Sequence, residues 1–194
     1  MKNITNNEML FVLSILKNPE AEYNASIIAK QIGISRMGGL KIAKKLEKEN
    51  VLLSRELGNA RFYKLNFEND YVKQYIIFLL KREVEQAPDY IKVWINEVKK
   101  IKNADSAILF GSVLAKEKEA KDIDILLITN KKKFSKLKKE IENVNLINIK
   151  KLHPVYQSKE DFKKNIKEGD KVVLNAIKGI VVFGEDKIIN LIEK

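Results

Sequence analysis

The chain has 194 residues, 45% of them hydrophobic, with no cysteine and a single histidine, His153. That composition fits a folded, helix-rich protein long enough for two small cores, and excludes a disulfide framework, a thiolate nucleophile and a cysteine zinc site. One histidine cannot form a cluster of imidazoles, so any bound metal is expected to take oxygen ligands, which points to Mg2+ or Mn2+. The net charge of +11 suits a polyanionic partner such as nucleic acid or nucleotide phosphates, or a chain that is simply lysine-rich.

The opening residues Met1 to Glu8 lack the apolar run and cleavage site of a secretory signal, and no stretch approaches 18 consecutive apolar residues. A cytoplasmic protein with no membrane partner is expected. Met9, Leu10, Val12, Leu13 and Leu16 predict a helix from about Asn7 to Lys17, ended by Asn18-Pro19. Asn24 reads as the N-cap of a helix over Ala25 to Gln31, with Gly33 as its stop. Ser35 caps a third helix, in which Met37, Leu40, Ala43 and Leu46 are expected on the core face and Lys41, Lys44, Lys45 and Lys48 on the solvated one. Gly38-Gly39 inside this helix costs about 1 kcal/mol per glycine relative to alanine, unless it permits close approach to DNA or another helix. Val51 to Leu57 and Ala60 to Leu65 read as two strands joined around Gly58-Asn59.

Residues 70–103 read as a helical connector. Tyr71, Tyr75, Phe78 and Leu79 predict one helix; Pro88 starts another, striped by Ile91, Trp94, Ile95 and Val98. From residue 104 the pattern alternates. Strands are expected at Ala107 to Phe110, Ile123 to Ile128 and Val144 to Ile149, with Val155-Tyr156 as a candidate continuation of the last, and at Gly179 to Gly184. Helices are expected at Phe134 to Ile141, from Lys159, from Asp170 and at the C-terminus, completing an α/β module.

Three short helices and a hairpin over residues 6–67 resemble winged-helix transcriptional regulators. The matching stretches are Ile27 to Ser35 at the turn, Lys44 to Val51 at the helix end and Phe62-Tyr63-Lys64-Leu65 in the wing. The resemblance implies a duplex DNA partner, with Ser35, Arg36, Lys41 and Lys44 facing base edges or phosphates and Arg55 and Arg61 reaching the backbone from the wing. Lysine and arginine gain affinity there by releasing counterions, and an arginine at the helix start can read a guanine edge. The alternative is a solvated helical face paired with Glu47 and Glu49.

Phe110-Gly111-Ser112 is followed after nine residues by Asp122-Ile123-Asp124-Ile125. On a strand, Asp122 and Asp124 project to one side while Ile123 and Ile125 enter the core. Paired carboxylates at this spacing repel unless a cation neutralises them, which suits Mg2+ with phosphate oxygens. The Gly-Ser turn offers backbone N–H groups and a hydroxyl to a triphosphate. The combined motif closely resembles the nucleotidyltransferase superfamily that includes DNA polymerase beta, especially its minimal prokaryotic members. The resemblance implies that Gly111 and Ser112 bind nucleotide phosphates and that Asp122 and Asp124 ligate Mg2+ or Mn2+ as catalytic residues. It further implies transfer of a nucleoside monophosphate from a triphosphate, ATP being the first candidate, to an acceptor such as a protein.

Active members carry a third carboxylate on a following strand. Val144 to Leu152, read as that strand, holds asparagines and lysines but no acid, so nucleotide binding is better supported than turnover. His153 reads as a packed or hydrogen-bonded loop histidine. The expected architecture is therefore α+β: a winged helix-turn-helix at 1–69, a helical connector at 70–103 and a polymerase-beta-like nucleotidyltransferase α/β domain at 104–194. The alternative function is an inactive transferase-like domain in a winged-helix regulator, or in an antitoxin-type one. A homodimer is expected from the paired half-sites such regulators read and from apolar surface around Tyr71 to Leu80.

Overall fold

Thr5 and Glu8 open the first helix, α1 (Asn6–Leu16), with a reciprocal cap. Thr5 Oγ1 accepts the Glu8 N–H, and the Glu8 carboxylate accepts the Thr5 N–H. The structure is a computed structural model describing residues 4–193; Met1, Lys2, Asn3 and Lys194, counted within the expected end domains, lie outside the described residues. The chain divides into two compact units, one ending at Leu79 and the other beginning at Leu80.

In the front unit, Asn24 caps α2 (Ala25–Gln31) and Ser35 caps α3 (Arg36–Lys48), each side chain accepting an N–H in the first turn. Gly33 lies between the two helices at φ +73°, left-handed geometry that a glycine adopts without strain. Strands β1 (Tyr23–Asn24), β2 (Leu52–Leu57) and β3 (Ala60–Leu65) form an antiparallel sheet in the order β1-β3-β2, and Leu57 opposite Ala60 closes the hairpin around Gly58-Asn59. This mixed α+β unit is winged-helix-like. Phe11, Leu16, Ile28, Leu46 and Leu52 are fully buried in it, each worth about 1.5–3 kcal/mol of transfer free energy.

The glycine pair in α3 finds its reason in packing. A Cβ on Gly39 would lie 2.7 Å from both the Ala25 carbonyl oxygen and Ala29 Cβ, so α3 crosses α2 at a distance only glycine allows. The buried stripe of α3 is Gly39, Ala43 and Leu46. Met37, expected in the core, is 63% exposed and shares the outer stripe with Lys41, Lys44 and Lys48 at helical spacing. Lys45, expected on that outer face, instead pairs with the buried Glu8. Burial alone would raise the Glu8 pKa, but Lys45 and the Thr5 N–H outweigh it and hold the carboxyl below its usual range.

Helix α4 (Asp70–Glu85) carries the division between the units, so the residues expected as a connector are shared between them. In the back unit, α5 (Asp89–Lys99) starts after Pro88 and buries Ile91, Trp94, Ile95 and Val98, the stripe its periodicity predicts. The sheet comprises β4 (Ser106–Phe110), β5 (Ile123–Ile128), β6 (Leu152–Gln157) and β7 (Ile180–Phe183), in the order β6-β5-β4-β7. β4 runs antiparallel to β5 and β7; β5 and β6 are parallel and therefore need a crossover, supplied by α7 (Lys131–Ile147). The short α6 (Val113–Lys116) follows Ser112, while α8 (Lys159–Glu168), α9 (Lys171–Ile177) and α10 (Glu185–Ile192) complete the unit.

The strand expected at Val144 to Ile149 does not exist. Leu137, Ile141 and Val144 bury at helical spacing, which carries α7 through Ile147, while Leu146, Ile147 and Ile149 are exposed. The third strand is β6, which begins eight residues later and contains Val155-Tyr156, the expected continuation. Asn145 ties the two together: its amide donates to the Leu152 carbonyl at 3.1 Å and its Oδ1 accepts the Leu152 N–H at 2.7 Å. Among the described residues no helix is long and apolar enough to cross a membrane.

Candidate nucleic-acid interface and candidate nucleotide site

On the front unit, α3 presents Arg36, Lys41 and Lys44, all exposed, and none has a hydrogen-bond or ion-pair partner among the described residues. Ser35 precedes them; its Oγ is engaged as an acceptor by the Gly38 N–H at 3.1 Å, leaving its O–H free to donate. The wing differs. Arg55 pairs with Glu22, and Arg61 bridges Glu47 on α3, at 3.2 Å, and Glu56, at 3.0 Å. The hydrogen bond that Arg61 donates to Glu56 and the charge of Glu47 raise the Arg61 pKa, fixing its positive charge. The two wing arginines must exchange these carboxylates for phosphate, whereas Arg36, Lys41 and Lys44 have nothing to give up.

In the back unit, β4 and β5 bring Gly111, Ser112, Asp122 and Asp124 to one end of the sheet, with Phe110 opposite Asp124 in the antiparallel register. Gly111 has φ +80°, and the Asp124 carboxylate fills the space its Cβ would need. Only glycine satisfies both demands. Ser112 and Asp122 are exposed and Asp124 is half-buried. No lysine or arginine pairs with either aspartate among the described residues.

The residue beside Asp124 on the third strand is neither an acid nor an asparagine. His153 lies opposite Asp124 in the parallel β5/β6 register, and its Nδ1–H donates to Asp124 Oδ1 at 3.2 Å. Expected as a loop histidine, it is an exposed strand residue. Asn145 is taken up by the Leu152 backbone, and Asn148 donates to Glu97 and to the Val144 carbonyl. Glu142 stands on α7 and Glu160 and Asp161 on α8, away from the third strand itself. Two features of the sequence point to this arrangement: the helical spacing through Val144, and Pro154, which forces the residue before it into extended geometry.

As a home for Mg2+ the site is incomplete, because among the described residues no three His, Asp or Glu side chains gather closely enough to hold a metal ion. Asp122 and Asp124 could supply the one or two carboxylates that Mg2+ takes when phosphate oxygens fill the rest of its shell. Among the described residues no third acid joins them.

The opposite end of the same sheet carries Asp105, whose side chain is 13% exposed. It accepts from Lys133 at 2.7 Å and lies 3.9 Å from Lys159, while Lys187 donates to its carbonyl at 3.3 Å. The Lys133 hydrogen bond is the largest influence on its pKa; with the charges of Lys133, Lys187 and Lys159 it outweighs burial and holds the carboxyl below its usual range.

No protein-family model and no curated protein matches the chain. Among solved structures it is similar to the adhesin competence repressor AdcR of Streptococcus pyogenes, with 18% identity and a TM-score of 0.36 over 52% of this chain and 70% of that one. It is also similar to a mutant of Lactococcus lactis ZitR, with 14% identity and a TM-score of 0.35 over 52% of this chain and 64% of that one. Likenesses this partial add nothing to the topology described above.

Proposed function

We propose that the chain is a DNA-binding regulator whose winged-helix unit docks α3 in the major groove, and whose second unit holds a nucleotide in a nucleotidyltransferase-type fold without efficient transfer. The observation that carries the first half is the unpartnered cationic stripe on α3 beside wing arginines that already have acidic partners. A helix so equipped gains affinity from phosphates without losing internal pairs. Fluorescence anisotropy with random and selected duplexes tests it. Binding that weakens steeply with salt, and weakens further in Lys41→Ala and Lys44→Ala, is the expected result; no binding at low salt would overturn it.

The second half rests on the strand, Gly-Ser turn and paired aspartates, and on the antiparallel β4/β5 and parallel β5/β6 pairings that follow them. Gly111 and Ser112 are the residues for the phosphates, and Asp122 and Asp124 for the cation that accompanies them. Tyr71 and Phe78, exposed on α4 seven residues apart, support a homodimer, which sedimentation analysis would detect.

Nucleotidyl transfer is the second reading, favoured by the fit of Asp124 against Gly111. Labelled ATP, GTP, CTP or UTP with candidate acceptors tests it, wild type against Asp122→Asn/Asp124→Asn. Turnover surviving the double change would remove these aspartates from the reaction.

A further inference from the structure

We propose that Tyr90, Lys118 and Lys150 form a binding site for a phosphate-type oxyanion, separate from the Gly111-Ser112 turn. Tyr90 lies in the first turn of α5 and packs against the core of the back unit. The Lys150 ammonium stands 5.4 Å from the centre of its ring and also donates to the Lys118 carbonyl, which draws the helical turn Glu117–Glu119 alongside. Two segments remote in sequence, one ahead of Asp122 and one ahead of β6, thus bring two lysines to one phenol.

Trp94 follows one helical turn after Tyr90, on the same side of α5. It is 5% exposed, and its Nε1 is buried without a hydrogen-bond partner, a rare state for a buried donor. That N–H lies close enough to the Tyr90 oxygen to act on it. Burial by itself would raise the Tyr90 pKa, but the Trp94 N–H, the Lys150 ammonium and the charges of Lys150 and Lys118 outweigh it and hold the phenol below its usual range. The groups that favour the ionised oxygen are all donors or cations, while the Tyr90 O–H has no acceptor of its own among the described residues.

An anion completes such a surrounding. It accepts the Tyr90 O–H and meets the charge of both lysines, and Lys150 has ammonium protons to spare beyond the one given to the Lys118 carbonyl. The Tyr90 oxygen, polarised by that bond, becomes the better acceptor for the Trp94 N–H. Phosphate suits these donors because it offers several strong acceptor oxygens in different directions and a second negative charge, whereas a carboxylate offers two oxygens in one plane.

Trp94 is the one tryptophan of the chain, so its fluorescence reports on this site directly. The full chain is titrated with inorganic phosphate and, in parallel, with glycerol 3-phosphate, the tighter of the two distinguishing free from esterified phosphate. A saturable change in Trp94 emission is expected, with affinity about tenfold weaker in Tyr90→Phe and in Lys150→Ala. The response persisting in Ser112→Ala separates the site from the Gly-Ser turn, and its loss there would overturn that separation. An equal change produced by sodium chloride at the same ionic strength, or undiminished affinity in Tyr90→Phe, would overturn the site. So would a constant emission together with no phosphate retained in equilibrium dialysis. Near-ultraviolet circular dichroism confirms that each variant keeps Trp94 in its packed surroundings.

Discussion

The two ends of the back unit's sheet both carry acids, and they treat them in opposite ways. At one end, Asp105 is withdrawn from solvent and gathered in by Lys133, Lys159 and Lys187, which belong to three different helices. At the other, Asp122 and Asp124 stand beside Gly111 and Ser112 with no lysine or arginine paired to them among the described residues, although the chain carries a net charge of +11. A carboxylate neutralised from within holds structure together. One left without a cation is equipped to take one from outside. The front unit repeats the contrast in the other sign, with wing arginines paired to acids and Arg36, Lys41 and Lys44 of α3 without a side-chain partner among the described residues.

The most damaging change should be Gly111→Ala, which forces a side chain into left-handed geometry and into the Asp124 carboxylate. A loss of about 2–4 kcal/mol in urea unfolding, together with loss of nucleotide binding, is expected. Stability unchanged within error would show that the open end is looser than described. Next, Asp105→Ala should cost about 2–3 kcal/mol, because it removes from a largely buried position the carboxylate that Lys133 and Lys159 meet, while Lys187 keeps its bond to the carbonyl. Asp122→Asn should stay within about 0.5 kcal/mol of wild type while weakening ATP binding. Equal losses from the two aspartate variants would erase the distinction between the ends.

Acid titration sharpens the same point. The folded pKa of Asp105 lies below its unfolded value, roughly 3.9, so its contribution to stability is fully present above that value and is lost as pH falls through the folded one. Glu8 behaves alike in the front unit. Asp105→Asn should therefore flatten the fall in stability between about pH 5 and pH 2 in urea melts, and a curve parallel to wild type would count against the lysine cluster. The smallest effects belong to DNA. Lys41→Ala should weaken duplex binding about three- to tenfold and reduce the salt slope by about one, while Arg61→Ala, already engaged by Glu47 and Glu56, should do less. Arg61→Ala exceeding Lys41→Ala would shift the interface from helix to wing.

Much of this arrangement was legible from local signals. Asn24, Ser35, Gly33 and Pro88 act within a turn of themselves, so the front helices, the hairpin and the start of α5 fall where their residues indicate. The Gly-Ser turn and the apolar run from Ile123 likewise announced β4 and β5, but β5 begins at Ile123, so Asp124 is on the strand while Asp122 lies in the bend before it. Other features depended on neighbours distant in the chain. Met37 lies outward because Gly39, two residues on and roughly 200° around the helix, is the residue pressed against α2, a contact that propensity and hydropathy do not record. Lys45 leaves the solvated face because Glu8, 37 residues earlier, needs a cation.

What the sequence by itself determined is the chemistry on offer: a basic chain without thiols, a capped helix-turn-helix with cations on its third helix, and a Gly-Ser turn followed by paired aspartates. What only the tertiary structure decided is which of those groups are already satisfied and which residue stands third beside Asp124. Both depend on pairings between strands and helices remote in sequence. The short apolar run at Val144 to Ile149 carries no period long enough to separate helix from strand, and packing through Leu137, Ile141 and Val144 made it helix. That choice moved the third strand to Leu152 and set His153, 29 residues from Asp124, where an acid had been sought.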